Sequence, residues 1–190
     1  MKIQELPFGA RSDFMFSILE SFDFPKEKRD IVTRNFDREL AEIGTNRVVF
    51  LGLRDHLPMS VVQLVMQNVD NNPELANGTD TAHVHNLWVR KDQHRQGLAE
   101  SIMRYCENFA FSKGIKFLTL GVDNSNQPAI SLYEKLGYLK FAEEPGRTAN
   151  EKFFLMKKTL GMNFQRFFEG RASACRLVCQ LNLIPYTGSK

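Results

Sequence analysis

The chain predicts an α/β (α+β) domain: a mixed, twisted β-sheet of about seven strands with helices on both faces. Two observations carry this. Three consecutive segments rich in β-branched and aromatic residues, Arg47 to Arg54, Met59 to Val69 and Thr81 to Val89, read as an antiparallel meander. They are followed by alternating helix and strand patterns, which read as a parallel pair joined by a right-handed crossover. At 190 residues with 43% hydrophobic and 25% charged side chains, the chain has the size and composition of one soluble domain.

The elements follow in order. Lys2 to Phe8 reads as a first short strand. Ser12 can cap a helix running to about Phe22, with Met15, Ile18, Leu19 and Phe22 on one face. A second helix runs from about Pro25 to Ile43, with Gly44 beyond its end; Val32, Phe36, Leu40 and Ile43 form its apolar stripe, and the charges between them read as a solvated face. After the Arg47 to Arg54 strand, His56-Leu57-Pro58 reads as a turn. Asn71 to Gly78 reads as a loop, from its Asn, Pro and Gly content. A helix from Gly97 to about Ser112 has Leu98, Ile102, Cys106 and Phe109 at helical spacing. Ile115 to Val122 is a strand, Gln127 to Leu136 a helix stopped by Gly137, and Tyr138 to Ala142 and Glu151 to Lys157 are strands.

Other classes are excluded or disfavoured. The longest apolar runs are a few residues, whereas a spanning helix needs about 20, so no membrane is expected. The start Met1-Lys2-Ile3-Gln4-Glu5 places an acid where a signal peptide is apolar, so a cytoplasmic protein is expected. A net charge of +3 is too mild to argue for nucleic acid. Cys106, Cys175 and Cys179 are read as reduced thiols; the last two have no neighbouring His, and no metal is expected.

Two stretches could carry chemistry. In the first, a strand ending Leu87-Trp88-Val89 leads through His94-Arg95-Gln96-Gly97-Leu98-Ala99 into a helix. A helix start leaves backbone N–H groups unpaired at the positive end of the dipole, and small residues let an anion reach them. Taken alone, this is equally a strand–loop–helix with no ligand. In the second, Asn126 can cap the next helix, and Tyr133 lies two turns on, on the same side; the structural alternatives are a cap and a core tyrosine.

Together the two stretches resemble the GNAT superfamily of acyl-CoA-dependent N-acyltransferases, over roughly residues 2 to 160. His94-Arg95-Gln96-Gly97-Leu98-Ala99 is similar to the family's Gln/Arg-x-x-Gly-x-Gly/Ala segment, with His94 departing at the first position. Asn126 through Tyr138 is similar to the family's last helix. The resemblance implies the GNAT fold for residues 1–160 and leaves 161–190 as a C-terminal extension. It implies acetyl-CoA as cosubstrate: Leu87, Trp88 and Val89 pairing with the pantetheine arm, Arg95, Gln96, Gly97, Leu98, Ala99 and Glu100 around the pyrophosphate, and Asn126 on the arm. Tyr133 would protonate the departing thiolate. The acceptor would be an amine on a small molecule or a peptide, attacking directly in a ternary complex. The alternative is a non-catalytic CoA-binding or sensing module.

An amine of pKa about 10.4 must lose a proton before it attacks. His83 and His85 alternate on one strand and share a face. His85 sits where several relatives place a Glu, and is the candidate base; the alternative is a pair of hydrogen-bonded strand histidines. On the same alternation, Trp88 points to the other face, as core. Asp23, Glu143 and Glu144 could attract a cationic acceptor or simply be solvated. The extension, with Phe164, Phe167, Phe168 and Leu181 among Arg166, Arg171 and Arg176, could cover the sheet, shield the acceptor groove, or pack on a second copy in a homodimer.

Overall fold

The structure, a computed structural model, describes residues 1–6, 22, 35, 38–69, 72–146 and 152–161. The chain divides into Met1–Leu160 and Gly161–Lys190; the account below concerns the first. The helix expected from Ser12, most of the one expected from Pro25, Asp23, Cys175, Cys179 and the extension lie outside the described residues.

Nine strands and two long helices are described: β1 (Lys2–Glu5), β2 (Arg47–Arg54), β3 (Leu57–Val65), β4 (Gln67–Val69), β5 (Asn72–Asn77), β6 (Thr81–Val89), α1 (Leu98–Ser112), β7 (Phe117–Asp123), α2 (Gln127–Leu136), β8 (Leu139–Pro145) and β9 (Lys152–Thr159). Residues 35 and 38–41 are helical. Seven strands form one sheet in the order β1-β2-β3-β6-β7-β9-β8. Every neighbouring pair is antiparallel except β6 and β7, which are parallel. The predicted meander and the single parallel pair are both present.

Three local expectations change. The hairpin between β2 and β3 turns at Asp55-His56, both with positive φ (51° and 64°), and β3 already begins at Leu57. Two left-handed residues match the twist of a tight hairpin, so the turn is one residue earlier than Pro58 suggests. The long strand expected to Val69 breaks at Met66. The loop expected at 71–78 contains β5, which pairs antiparallel with β4 in a separate ribbon. Leu75 and Ala76 are buried there, and that burial outweighs the turn propensity of the Asn and Pro around them.

Two cores sandwich the sheet. On one face, Phe50, Val62, Leu64, Val84, Leu118 and Leu120 meet Ile102, Met103 and Cys106 of α1 and Ile130, Tyr133 and Leu136 of α2. Burial also pushes the Cys106 thiol well above its usual range, so it is inert packing rather than a nucleophile. On the other face, Val49, Leu51 and Val61 pack with Leu6, Phe22, Ile43 and helical Leu40. Among the described residues no helix is long and apolar enough to cross a membrane.

Candidate functional site

The site is set by a fault in β6. Val61 pairs with Trp88 and Gln63 with His85, so Val62 alone opposes both Asn86 and Leu87. Asn86, at φ 48°, is the extra residue of a β-bulge. Asn tolerates this left-handed conformation better than most residues. The bulge corrects the alternation expected from sequence: Trp88 lies on the same face as His83 and His85, not the opposite one. It packs beside Val61 and Leu51, while Leu87 turns to the α1 core.

The bulge also ends pairing. β6 is bonded to β7 only from Thr81 to Val84, while β7 continues to Asp123 against β9. The two parallel strands therefore part, and their ladder ends at Val84 and Leu120. A cleft of about 1500 Å³ occupies this opening. It is lined by β6 from His83 to Val89, by the start of α1, by Gly121, Val122 and Asp123 of β7, and by Asn126, Ala129, Leu132 and Tyr133 of α2.

At one end of the cleft, Arg95 (φ 60°) and Gly97 (φ 76°) are both left-handed, and Gly97 caps α1. A Cβ on Gly97 would meet nothing within 4 Å, so glycine serves the backbone conformation and leaves the amides beyond it open. The His94 Nε2–H donates to the Val89 carbonyl at 2.9 Å, closing the loop. Glu100, in the first turn of α1, is held by Arg104 at 2.8 Å and Lys135 at 2.7 Å, and these hydrogen bonds keep its carboxyl below the usual range.

At the other end, the Asn126 side chain accepts from the Ala129 amide at 3.3 Å, capping α2. Gly137 (φ 92°) stops that helix, its amide bonding Glu134 and the Tyr138 amide bonding Tyr133. Tyr133 is thereby fixed on the inner face, with its ring edge-on to Tyr138 at 5.9 Å. Burial pushes the Tyr133 pKa up to about 12.

His83 and His85 share a face as expected, with ring centroids 6.1 Å apart, but their surroundings differ. His83 is buried. Burial, with the charges of His85 and Arg47, pushes its pKa down to about 3. The His85 side chain is 37% exposed, and its Nε2 lies 3.4 Å from Glu39 Oε1.

Of the twelve residues singled out from sequence, eleven line the cleft: His85, Leu87, Trp88, Val89, Arg95, Gly97, Leu98, Ala99, Glu100, Asn126 and Tyr133. Gln96 does not; its side chain accepts from Arg54 at 3.3 Å. Glu144 is also on the wall, whereas Glu143 pairs with Lys140. Sequence reasoning missed Glu39 and the bulge at Asn86. No group of three or more potential metal ligands occurs among the described residues.

The model of the acetyltransferase (GNAT) family matches residues 14–138. The chain belongs to the GNAT family. Members of this family are acetyltransferases. Solved structures share the fold. A ribosomal-protein-S18-alanine N-acetyltransferase from Escherichia coli is 20% identical, covers 88% of this chain and 98% of its own, and has a TM-score of 0.62. An aminoglycoside 6′-N-acetyltransferase complexed with coenzyme A is 17% identical over 85% of this chain and 98% of its own, with a TM-score of 0.66. One from Enterococcus faecium is 15% identical over 85% and 98%, with a TM-score of 0.65.

Proposed function

We propose that this GNAT chain moves an acetyl group from acetyl-CoA to a primary amine, by direct attack in a ternary complex. The observation that carries the reading is the parting of β6 from β7 over a cleft that joins the α1 start, His85 and Tyr133. The end of the β6–β7 ladder at Val84 gives an extended, amide-bearing arm room to run beside β6 in the cleft. The open amides after Gly97, with Arg95 beside them, suit a pyrophosphate at a helix start.

In this reading the amine, once neutral, attacks the thioester carbonyl carbon and forms the C–N bond. His85 takes the proton that the nitrogen must lose. As the C–S bond breaks, Tyr133 passes its proton to the sulfur and recovers one from solvent. A phenol whose pKa lies at about 12 stays protonated through the working range, as a proton donor must. Residues 1–160 form the transferase domain and 161–190 an extension. Glu144 on the cleft wall favours a cationic acceptor by simple attraction, whether small molecule or peptide.

The test is CoA release from acetyl-CoA across a panel of polyamines, aminoglycosides, amino acids and peptides with free amino termini. Amine-dependent release supports transfer. Saturable acetyl-CoA binding with no release for any amine would replace it with the non-catalytic CoA-binding reading.

A further inference from the structure

We propose that Glu39 is a positioning residue for His85, fixing the tautomer and direction of the imidazole; the proposal rests on the transfer reading above. Glu39 stands on the helical residues 38–41, and its carboxylate gathers three side chains from two strands. Gln63 Nε2 donates to Oε2 at 2.7 Å, and Asn86 Nδ2 lies 3.0 Å from Oε2 and 3.2 Å from Oε1. His85 Nε2 lies 3.4 Å from Oε1. One carboxylate therefore holds both the histidine and the bulge residue that follows it.

The network behind Glu39 is directional. Gln63 is fully buried, and its Oε1 accepts from Arg47 Nη1, which leaves its amide nitrogen to face Glu39. Arg47 in turn binds Glu42 Oε2 at 3.0 Å. Burial would raise the Glu39 carboxyl, but hydrogen bonds from His85 and Gln63, with the charges of His85 and Arg47, outweigh it and hold the carboxyl below its usual range. Glu39 is thus an anion that only accepts.

With the Glu39 carboxylate 3.4 Å from Nε2, the tautomer that carries its proton on Nε2 is the favoured one. In the neutral ring the lone pair is then on Nδ1, the nitrogen left to receive a proton. Glu39 is absent from the cleft wall that His85 lines, so it acts through the histidine. Around His85 stand Glu39, His83 on its own strand, and Arg47 with Glu42 beyond Gln63, while Asp123, Tyr133 and Glu144 line the same cleft. His83 stays neutral there, so Glu39 is the anion next to the ring.

The experiment uses the full chain. Nitrogen-15 NMR of the histidine rings reads the tautomer, and kcat/KM against pH reads the chemistry, in wild type, Glu39→Gln, Glu39→Asp and His85→Gln. Wild type should show His85 as the Nε2–H tautomer. Glu39→Gln removes the charge and offers an amide N–H instead, so the tautomer should mix. The plateau of kcat/KM should fall at least about tenfold as the base loses its orientation. Glu39→Asp keeps the anion on a shorter stem, so the Nε2–H tautomer should persist and the plateau fall less than in Glu39→Gln. Combining Glu39→Gln with His85→Gln should add nothing to His85→Gln alone. An unchanged His85 tautomer in folded Glu39→Gln would overturn the proposal. A changed tautomer with unchanged kinetics would overturn it too, by removing His85 from the chemistry while leaving acetyl transfer standing.

Discussion

His83 donates its Nδ1 proton to Thr119 Oγ1 across the parallel β6–β7 pair, at 2.8 Å. The direction follows from the hydroxyl: Thr119 has one proton, and it goes to the Leu75 carbonyl at 2.6 Å, so toward His83 it accepts. The bond joins the two strands just before they part.

A buried neutral histidine makes stability depend on pH. Its pKa is about 3 when folded and about 6.5 when unfolded, so between those values the unfolded state binds the extra proton. The contribution is fully present above pH 6.5 and is lost as pH falls toward 3. The loss is about 1.4 kcal/mol per pH unit, hence roughly 2 kcal/mol between pH 7 and pH 5. For a chain of this size that is roughly 4–8 °C in Tm. His83→Gln can still donate to Thr119 but does not titrate. The gap in Tm between pH 7 and pH 5 should therefore shrink by that amount, whatever the variant's absolute Tm. An undiminished gap would assign the acid sensitivity to another group.

Much of the sheet was legible because runs rich in β-branched and aromatic residues report burial directly, as in β2 and β6. The Gly97 turn was legible because a helix start needing positive φ and open amides restricts the residue type. The bulge was not: nothing in Asn86-Leu87-Trp88 marks a slip in period, and one extra residue moved Trp88 to the other face. Glu39 was hidden for another reason. In a stretch expected from sequence to be a helix, with charges at Lys26, Glu27, Lys28, Arg29, Arg38 and Glu42, one more carboxylate reads as solvated, and only the β2–β3–β6 register brings Gln63, His85 and Asn86 to it. Apart from the two-residue turn, β5 was missed because Asn72 and Pro73 signal a loop while burial of Leu75 and Ala76 is a tertiary effect.

Acetyl-CoA should fail to stabilise Gly97→Glu. The added Cβ meets no neighbour, so the substitution costs only backbone strain at φ 76° and places a carboxylate where the phosphates are proposed to lie. Gly97→Ala has the same strain, of order 1–2 kcal/mol, without the charge. Thermal-shift titration with acetyl-CoA should give a much smaller rise in Tm for Glu than for Ala. An undiminished rise in the Glu variant would move the pyrophosphate elsewhere.

Tyr133→Phe should bind acetyl-CoA nearly as wild type and turn over more slowly. The ring and its contact with Tyr138 remain, and only the hydroxyl is lost. General acid catalysis is worth roughly 10²–10⁴-fold, so kcat should fall within or below that window. Because the phenol holds its proton to about pH 12, any decline of activity between pH 8 and pH 10 belongs to another group. It should persist in the Phe variant. Equal turnover at every pH would make Tyr133 a core residue.

The sharpest kinetic expectation concerns His85. A base must be neutral to accept the amine's proton, so kcat/KM should fall on the acidic side of neutrality, where histidine titrates. Two histidines share the face, and the structure separates them. His83 is buried and holds off protonation until about pH 3, so it cannot shape a limb near neutrality. His85 lines the cleft and is partly open to solvent. His85→Gln keeps size and hydrogen bonding but takes up no proton in this range; it should flatten the acidic limb and lower the plateau. His83→Gln should leave the limb in place. The acceptor's own ionisation shapes the basic limb, so only the acidic side is diagnostic. Solvent isotope effects on kcat/KM then separate proton transfer from binding: one present in wild type and reduced in His85→Gln fits a base. If His85→Gln keeps both limb and plateau, the amine must lose its proton elsewhere, through water held by backbone carbonyls in the cleft.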